Sequence, residues 1–280
     1  MLEIGKYNKL KVVKKVDFGI YLDGEPFGDI LLPKKNVPEN CNLDDEIEVF
    51  IYCDSEDRLI ATTEKPMATV GEFAFLKAVS VFQAGAFMDW GLQKDLLVPF
   101  REQKKKIEAG KFYVVYVYLD DDTKRIAASE KVDKYLDKTK PAYELGAEVD
   151  LLIYSQTDMG FNAIINNAHR GIIYKNEIFE PLEVGMKLKG YIKKVRTDDK
   201  VDLSLTHIGL ESINFAAEKI ISLLNKNNGF IELTDKSSSE LISEKAEMSK
   251  KTFKKAIGFL YKNRIITIED NGIQLIEISD

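Results

Sequence analysis

The chain has 280 residues, 45% of them apolar and 31% charged, with a formal net charge of −6 at neutral pH. That length is long for a single core and predicts two or more domains. No apolar run approaches the ~18 residues a membrane helix needs, so no membrane partner is expected. The opening MLEIGKYNKLKVV lacks an apolar signal core, and Cys41 and Cys53 stand without a partner motif. A cytoplasmic protein with reduced thiols is the expectation.

From the N-terminus the first predicted elements are five short strands, LKVVKKV, FGIYLD, DILLP, EIEVFIYC and LIATT. β-branched and aromatic residues fill them, and Gly, Asp, Asn or Pro separates them. The pattern then returns twice. A glycine lies inside a strand-like run at Gly19, Gly85 and Gly160, and fourteen residues later an apolar tripeptide ends at Pro33, Pro99 and Tyr174. Further on, an Asp-rich turn closes on Arg58, Arg125 or Lys200, each four residues before Thr62, Ser129 or Ser204. Repeats decide architecture before local propensity does, and units of about 65 residues suit small autonomous β-domains. A strand glycine marks a bulge, a bend or close approach of another backbone. Five strands with such a bend imply a small Greek-key barrel of the OB type, a fold that binds oligonucleotides on one face.

The C-terminal region changes period. INFAAEKIISLLNK reads as an amphipathic helix, SSELISEKA as a short second one, and SKKTFKKAIGFLYKNR as a third with Ser249 as N-cap. On the third, Phe253, Ala256, Ile257 and Leu260 form one apolar stripe, while Lys251, Lys254, Lys255 and Lys262 fall opposite, around Gly258. IITIEDNGIQLIEI places an Asp-Asn-Gly turn between two β-rich runs, a hairpin signal. Together these spell a winged helix, whose basic helix can enter a groove of duplex DNA. Lysines that merely solubilise an exposed face are the competing explanation.

The third repeat, MGFNAII followed by GIIYKNEI, looks like the S1 RNA-binding pattern, FGAFV followed by GLVHISEI; the first two repeats match it less well. The domain order and the runs ILLP, LLVPF, GIIYKNEIF and MSKKTFKKAIGFLYKNR resemble the bacterial conserved virulence factor B family over essentially the whole chain. The resemblance implies a mainly β protein with a C-terminal α+β domain: three tandem five-stranded OB-type (S1) barrels at 1–65, 66–140 and 141–208, followed by a winged helix at 209–280. It also implies a non-catalytic protein that holds single-stranded RNA and regulates gene expression after transcription, with a role in virulence. In S1 domains stacking aromatics flank the strand glycine, one before it and two after, and a His sits about fourteen residues beyond. Carried over, these positions are Phe18 and Tyr21 in the first repeat, Phe87 in the second and Tyr174 in the third. Pro33, Ala84, Pro99, Met159 and Asn162 depart from the pattern, so no repeat keeps the full set.

Basic residues near those aromatics are the candidate phosphate contacts. Arg170 and Lys175 flank Tyr174, and strand alternation puts Phe161 on the opposite face, in the core. Arg58, Arg125 and Lys200 either line the same groove or pair across their turns with Asp57, Asp122 and Asp199. Lys251, Lys254 and Lys255 are the candidates on the basic helix. REQKKKIEAGK makes 66–140 the one net-positive segment, with 13 basic and 11 acidic residues against 9 and 14 in 1–65. The first barrel is therefore the poorest electrostatic candidate.

Chemistry is hard to find. His169 and His207 lie near no Cys pair and make no zinc ligand set. There is no GxxxxGK loop, no GxGxxG after a strand and no GxSxG elbow. Asp120, Asp121 and Asp122 fall in a predicted hairpin loop, where Asp favours turns. Neither cofactor nor catalysis is expected. The competing function is a DNA-binding transcription regulator led by the winged helix, with the barrels as protein-contact modules.

Overall fold

In a computed structural model, which describes residues 2–178, 181–206 and 210–276, the tripled sequence pattern becomes three closed five-stranded barrels. The first runs β1 (Tyr7–Val16), β2 (Gly19–Asp23), β3 (Asp29–Pro33), β4 (Glu46–Cys53) and β5 (Leu59–Thr62). The second comprises β6 (Phe73–Phe82), β7 (Gly85–Asp89), β8 (Leu96–Pro99), β9 (Phe112–Leu119) and β10 (Ile126–Ser129). The third comprises β11 (Glu148–Thr157), β12 (Gly160–Ile165), β13 (His169–Tyr174), β14 (Lys187–Val195) and β15 (Val201–Ser204). In each, the third and fifth strands pair in parallel (Leu31 with Ile60, Leu97 with Ala127, Gly171 with Val201) and close a barrel that is otherwise antiparallel.

The repeated glycine explains the repeated register. Gly19 lies opposite Pro33, Gly85 opposite Pro99 and Gly160 opposite Tyr174. Their φ angles are +157°, +148° and +150°, and a Cβ on any of them would lie 2.0–2.3 Å from a carbonyl oxygen of the facing strand. Only glycine fits so close an approach. The first strand of each barrel also carries a bulge at the same place, between Val12 and Lys14, Ala78 and Ser80, and Ile153 and Ser155. Bulge and glycine together coil the first hairpin enough for closure.

The remaining described residues form α1 (Leu210–Lys226), β16 (Phe230–Ile231), α2 (Ser239–Ala246), α3 (Lys250–Lys262), β17 (Ile266–Ile268) and β18 (Ile273–Leu275), with sheet order β16-β18-β17. Ser238 and Ser249 cap α2 and α3, their hydroxyls accepting from Leu241 N and Thr252 N, each at 3.1 Å. The stripe Phe253, Ala256, Ile257 and Leu260 is buried against Ile220, Leu224, Ile242 and Ile273. No described helix is long and apolar enough to cross a membrane.

The chain divides into two compact units between Tyr135 and Leu136. Within the first unit the two barrels share a core, because β4 is buried on both faces. Val49 and Ile51 fill the first barrel, whereas Phe50 and Tyr52 join Trp90, Leu92 and Leu96 of the second. The ring of Phe50 meets Trp90 edge-on at 5.8 Å. The connection packs as well: Val70 N donates to Gly5 O at 2.9 Å and Met67 N to Trp90 O at 2.8 Å. Within the second unit the third barrel has its own core around Ile153, Ala163, Ile173 and Leu203.

Two Gly-to-Ala substitutions should act with opposite sign. Gly160→Ala places a methyl 2.0 Å from Ile173 O and should cost about 2–4 kcal/mol. At Gly258, in the middle of α3, an added Cβ meets nothing within 4 Å, and Gly258→Ala should stabilise by about 0.5–1 kcal/mol. Urea unfolding of the two variants measures both; equal effects would contradict the barrel geometry.

Candidate nucleic-acid interface

Alternation along the second strand of each barrel sends one set of side chains into the core and the other outward. In the first barrel Ile20 and Leu22 are buried, and Tyr21 lies on the outer face with Phe18, their rings edge-to-face at 6.4 Å. Phe18 is 58% exposed. Arg58 lies near enough to this face to interact electrostatically with Tyr21. Its guanidinium pairs with Asp54 at 2.7 Å and Glu56 at 2.9 Å, rather than with Asp57.

In the second barrel Phe87 is half-buried and meets Phe82 edge-to-face at 6.0 Å. Phe82 is 67% exposed and Phe100, just past Pro99, 48%. Both were missed from sequence: they lie outside the flanking positions, Phe82 three residues before the glycine and Phe100 one past the tripeptide. They supply the aromatic surface that Ala84 and Pro99 do not. A cleft of about 580 Å³ opens here, lined by Phe87, Pro99 and Phe100 and walled by Tyr52 and Cys53 of the first barrel. Its cations are engaged. Arg101 pairs with Asp120 at 3.0 Å, and Arg125 pairs with Asp57 of the first barrel, not with Asp122. The lysine-rich run after Phe100 is a loop, pinned where Gln103 donates to Val98 O (3.0 Å) and accepts from Ile107 N (3.1 Å).

The third barrel brings most of its candidates together. A cleft of about 360 Å³ is lined by Tyr174, Arg170, Lys200, Met159, Asn162 and Arg196. Asn162 is buried; its amide donates to Ser155 Oγ at 2.9 Å and its Oδ1 accepts from Arg170 Nη2 at 3.0 Å. It cannot stack, but it orients Arg170. Arg196 hydrogen-bonds the Tyr174 hydroxyl, lies 5.8 Å from that ring's centroid and forks onto Asp202 at 2.8 and 3.1 Å. It thereby fixes the tyrosine ring. Sequence reading missed Arg196 because the turn after β14 gives no S1 signal; across the hairpin, Arg196 N donates to Lys200 O at 2.8 Å. Lys200 pairs with Asp198 at 2.8 Å rather than Asp199. Lys175 is exposed on the turn beyond β13, outside the cleft lining. Phe161 is buried in the barrel core.

Residues 137–141 form the remaining wall of this cleft. His169 anchors the segment: the Tyr143 hydroxyl is 2.8 Å from Nδ1, and Thr139 O is 3.2 Å from Nε2. Hydrogen bonds from Thr139 hold the Asp137 carboxyl below its ordinary value, with a further contribution from His169. His169 is thus a fastening, not a stacking surface. His207 lies outside the described residues.

On α3, Lys251, Lys255 and Lys262 are exposed and pair with no described carboxylate, whereas Lys254 is 3.7 Å from Asp235. Gly258 leaves the middle of that face open to close backbone approach. The wing tip carries Glu269 and Asp270, so the wing tip repels phosphate while the lysine face of α3 attracts it. Among the described residues no group of three or more His, Cys, Asp or Glu side chains is placed to hold a metal. Asp120 caps its own turn, Oδ1 accepting from Thr123 N and Oγ1 at 2.9 Å each.

An S1 domain model matches residues 4–64 and a CvfB-like winged helix domain model matches residues 218–275. The S1 match thus falls on the first barrel, whose aromatic set is incomplete. An uncharacterized protein, YitL of Bacillus subtilis, is 30% identical over 96% of this chain and 92% of its own length. Conserved virulence factor B of Staphylococcus epidermidis is 26% identical over 97% and 94%, and that of Staphylococcus aureus 27% identical over 84% and 82%. A solved multidomain protein with nucleic acid binding domains from Streptococcus pneumoniae is 25% identical over 98% of both chains, with a TM-score of 0.44.

Trp90 is the sole tryptophan, is 3% exposed and donates its indole N–H to Lys94 O at 2.7 Å. Its emission should be blue-shifted and poorly quenched by acrylamide. Because it lines the second barrel's cleft, occupation of that cleft should change the emission, and binding confined to the second unit should not. Titration of wild-type protein and the Phe87→Ala variant reads this directly.

Proposed function

The chain belongs to the conserved virulence factor B family, and from that premise we propose that it is a non-catalytic RNA-binding protein that holds single-stranded RNA and regulates gene expression after transcription. The observation that carries the reading is the third barrel's cleft. It joins a tyrosine ring held by an arginine to two further cations, in a space suited to an unstacked base and its phosphate. Bases stack on aromatic rings without needing a particular sequence, and basic groups track the backbone. In this reading Tyr174 is the platform, Arg196 its support, and Arg170 and Lys200 the phosphate contacts. Phe18 with Tyr21, and Phe82 with Phe87, offer weaker platforms on the other barrels. Lys175 and the α3 lysines Lys251, Lys254 and Lys255 add long-range attraction. Linked weak sites raise one another's effective concentration, so modest contacts suffice.

A second reading has one observation in its favour. The stripe of Lys251, Lys255 and Lys262 around Gly258 on a capped helix suits a phosphate backbone, and a DNA-binding transcription regulator would use it in a major groove. The acidic wing tip weighs against that reading.

Fluorescence anisotropy of the intact protein against single-stranded RNA, single-stranded DNA and duplex DNA, each at two salt concentrations, decides between them. Stacking recognition predicts preference for single-stranded RNA, a shallow salt slope, and a loss of about 1–3 kcal/mol on Tyr174→Ala. Preference for the duplex, abolished by changing Lys251 and Lys255 to Ala, would replace the first reading with the second.

A further inference from the structure

The cations on the second barrel's outer face already face an anion, and it comes from the neighbouring barrel. Asp57 sits at the tip of the β4–β5 hairpin at φ +63°. There its carboxylate pairs with Arg125 and lies 3.7 Å from Lys94 Nζ. Lys94 Nζ also donates to the Asp54 carbonyl at 2.5 Å. The hairpin is built to present this carboxylate. Asp54 Oδ1 accepts from the Glu56 and Arg58 amides at 2.8 and 3.0 Å, and Asp54 Oδ2 holds the Arg58 side chain at 2.7–2.9 Å. The turn's own cation is therefore consumed inside the turn, and Asp57 is left to look outward. The shared core beneath, with Phe50 against Trp90, holds the two barrels in this register.

The third barrel repeats the turn. Asp199 has φ +59° and its amide donates to Arg196 O at 3.2 Å, as Asp57 N does to Asp54 O at 3.1 Å. Its Lys200, like Arg58, pairs inside its own hairpin, with Asp198, whereas Arg125 pairs with Asp57 of another barrel. Arg125 and Lys94, with Asp57 between them, hold the place where a strand lying on Phe87 and Phe100 would lay a phosphate.

We propose that Asp57 is a built-in phosphate competitor: a carboxylate of the first barrel that occupies the cationic site of the second, so that RNA engages that face only by displacing it. The inference rests on the RNA-binding reading above. The pair is suited to exchange, because Asp57 and Arg125 are 44% and 56% exposed, and such pairs are individually weak. A phosphate from a strand already held elsewhere on the chain arrives at high local concentration and can replace the carboxylate. The first barrel then acts as a filter against short or isolated anions, admitting strands that are also held at another site.

The test uses the full chain, in wild-type form and in a Tyr174→Ala background that weakens the third cleft, with a fluorescent oligouridylate as probe. Asp57→Asn should raise affinity about two- to fivefold at low salt. It should also steepen the slope of log K against log salt by about 0.7, one further phosphate contact. Asp44→Asn is the control: it removes the same charge from the same barrel, where Asp44 pairs with Lys11 at 2.8 Å. Adding Arg125→Ala to Asp57→Asn should cancel the gain. Thermal melting confirms that each variant is folded. A gain no larger than that of Asp44→Asn, or a loss on Asp57→Asn, overturns the inference while leaving the RNA-binding reading intact. Failure of every protein, wild type included, to bind the probe overturns both.

Discussion

The structure depends on three missing side chains. At Gly19, Gly85 and Gly160 the backbone comes so near the facing strand that a Cβ would touch a carbonyl oxygen. That closeness bends the first hairpin enough for the third and fifth strands to meet. It also locks each glycine opposite the last residue of the third strand, and so decides which side chains share the outer face. Tyr174 stands where it does because Gly160 lies across from it. The barrel's closure and the composition of its outer face are thus one constraint.

Much of this was legible in the sequence, since glycine spacing, strand alternation and a helical apolar stripe are local signals that tertiary packing had no cause to overturn. Fourteen residues from Gly to Pro or Tyr is the length of a hairpin read along the chain. Ser249, Phe253 and Leu260 behave as their pattern says. What was not legible concerns partners. Arg58, Arg125 and Lys200 could be seen to sit beside acidic turns, but which carboxylate each takes depends on backbone rotation inside the turn. For Arg125 it depends on a neighbouring barrel. Arg196 and Phe82 escaped for a related reason: their places on the face follow from cross-strand neighbours, and no flanking motif announces them. The unbroken apolar run VFIY in β4 was readable as a strand, but its second buried face was not, because the partner surface lies some forty residues further along.

Charge is the other organising quantity, and its total misleads. The chain is acidic as a whole, yet its charges are sorted. In the first unit cations are met by carboxylates, within a turn for Arg58, within a barrel for Arg101 and across barrels for Arg125. In the third barrel Arg196 is likewise met by Asp202 and Lys200 by Asp198, and Lys138 and Arg170 line the cleft beside them. Fields decay within about 10 Å at moderate salt, so what a strand meets in that cleft is set by its lining more than by the chain's total charge.

The doubly buried β4 has a consequence for how such a chain can change over generations. Barrels that stack as independent beads can be gained or lost one at a time by duplication and deletion. The first two here cannot. Removing either uncovers Phe50 and Tyr52, or Trp90 and Leu92, as an apolar stripe on the survivor, and exposed stripes of that kind drive aggregation. On packing grounds the pair should persist as one block, each member's surface being free to vary only where it does not face the other.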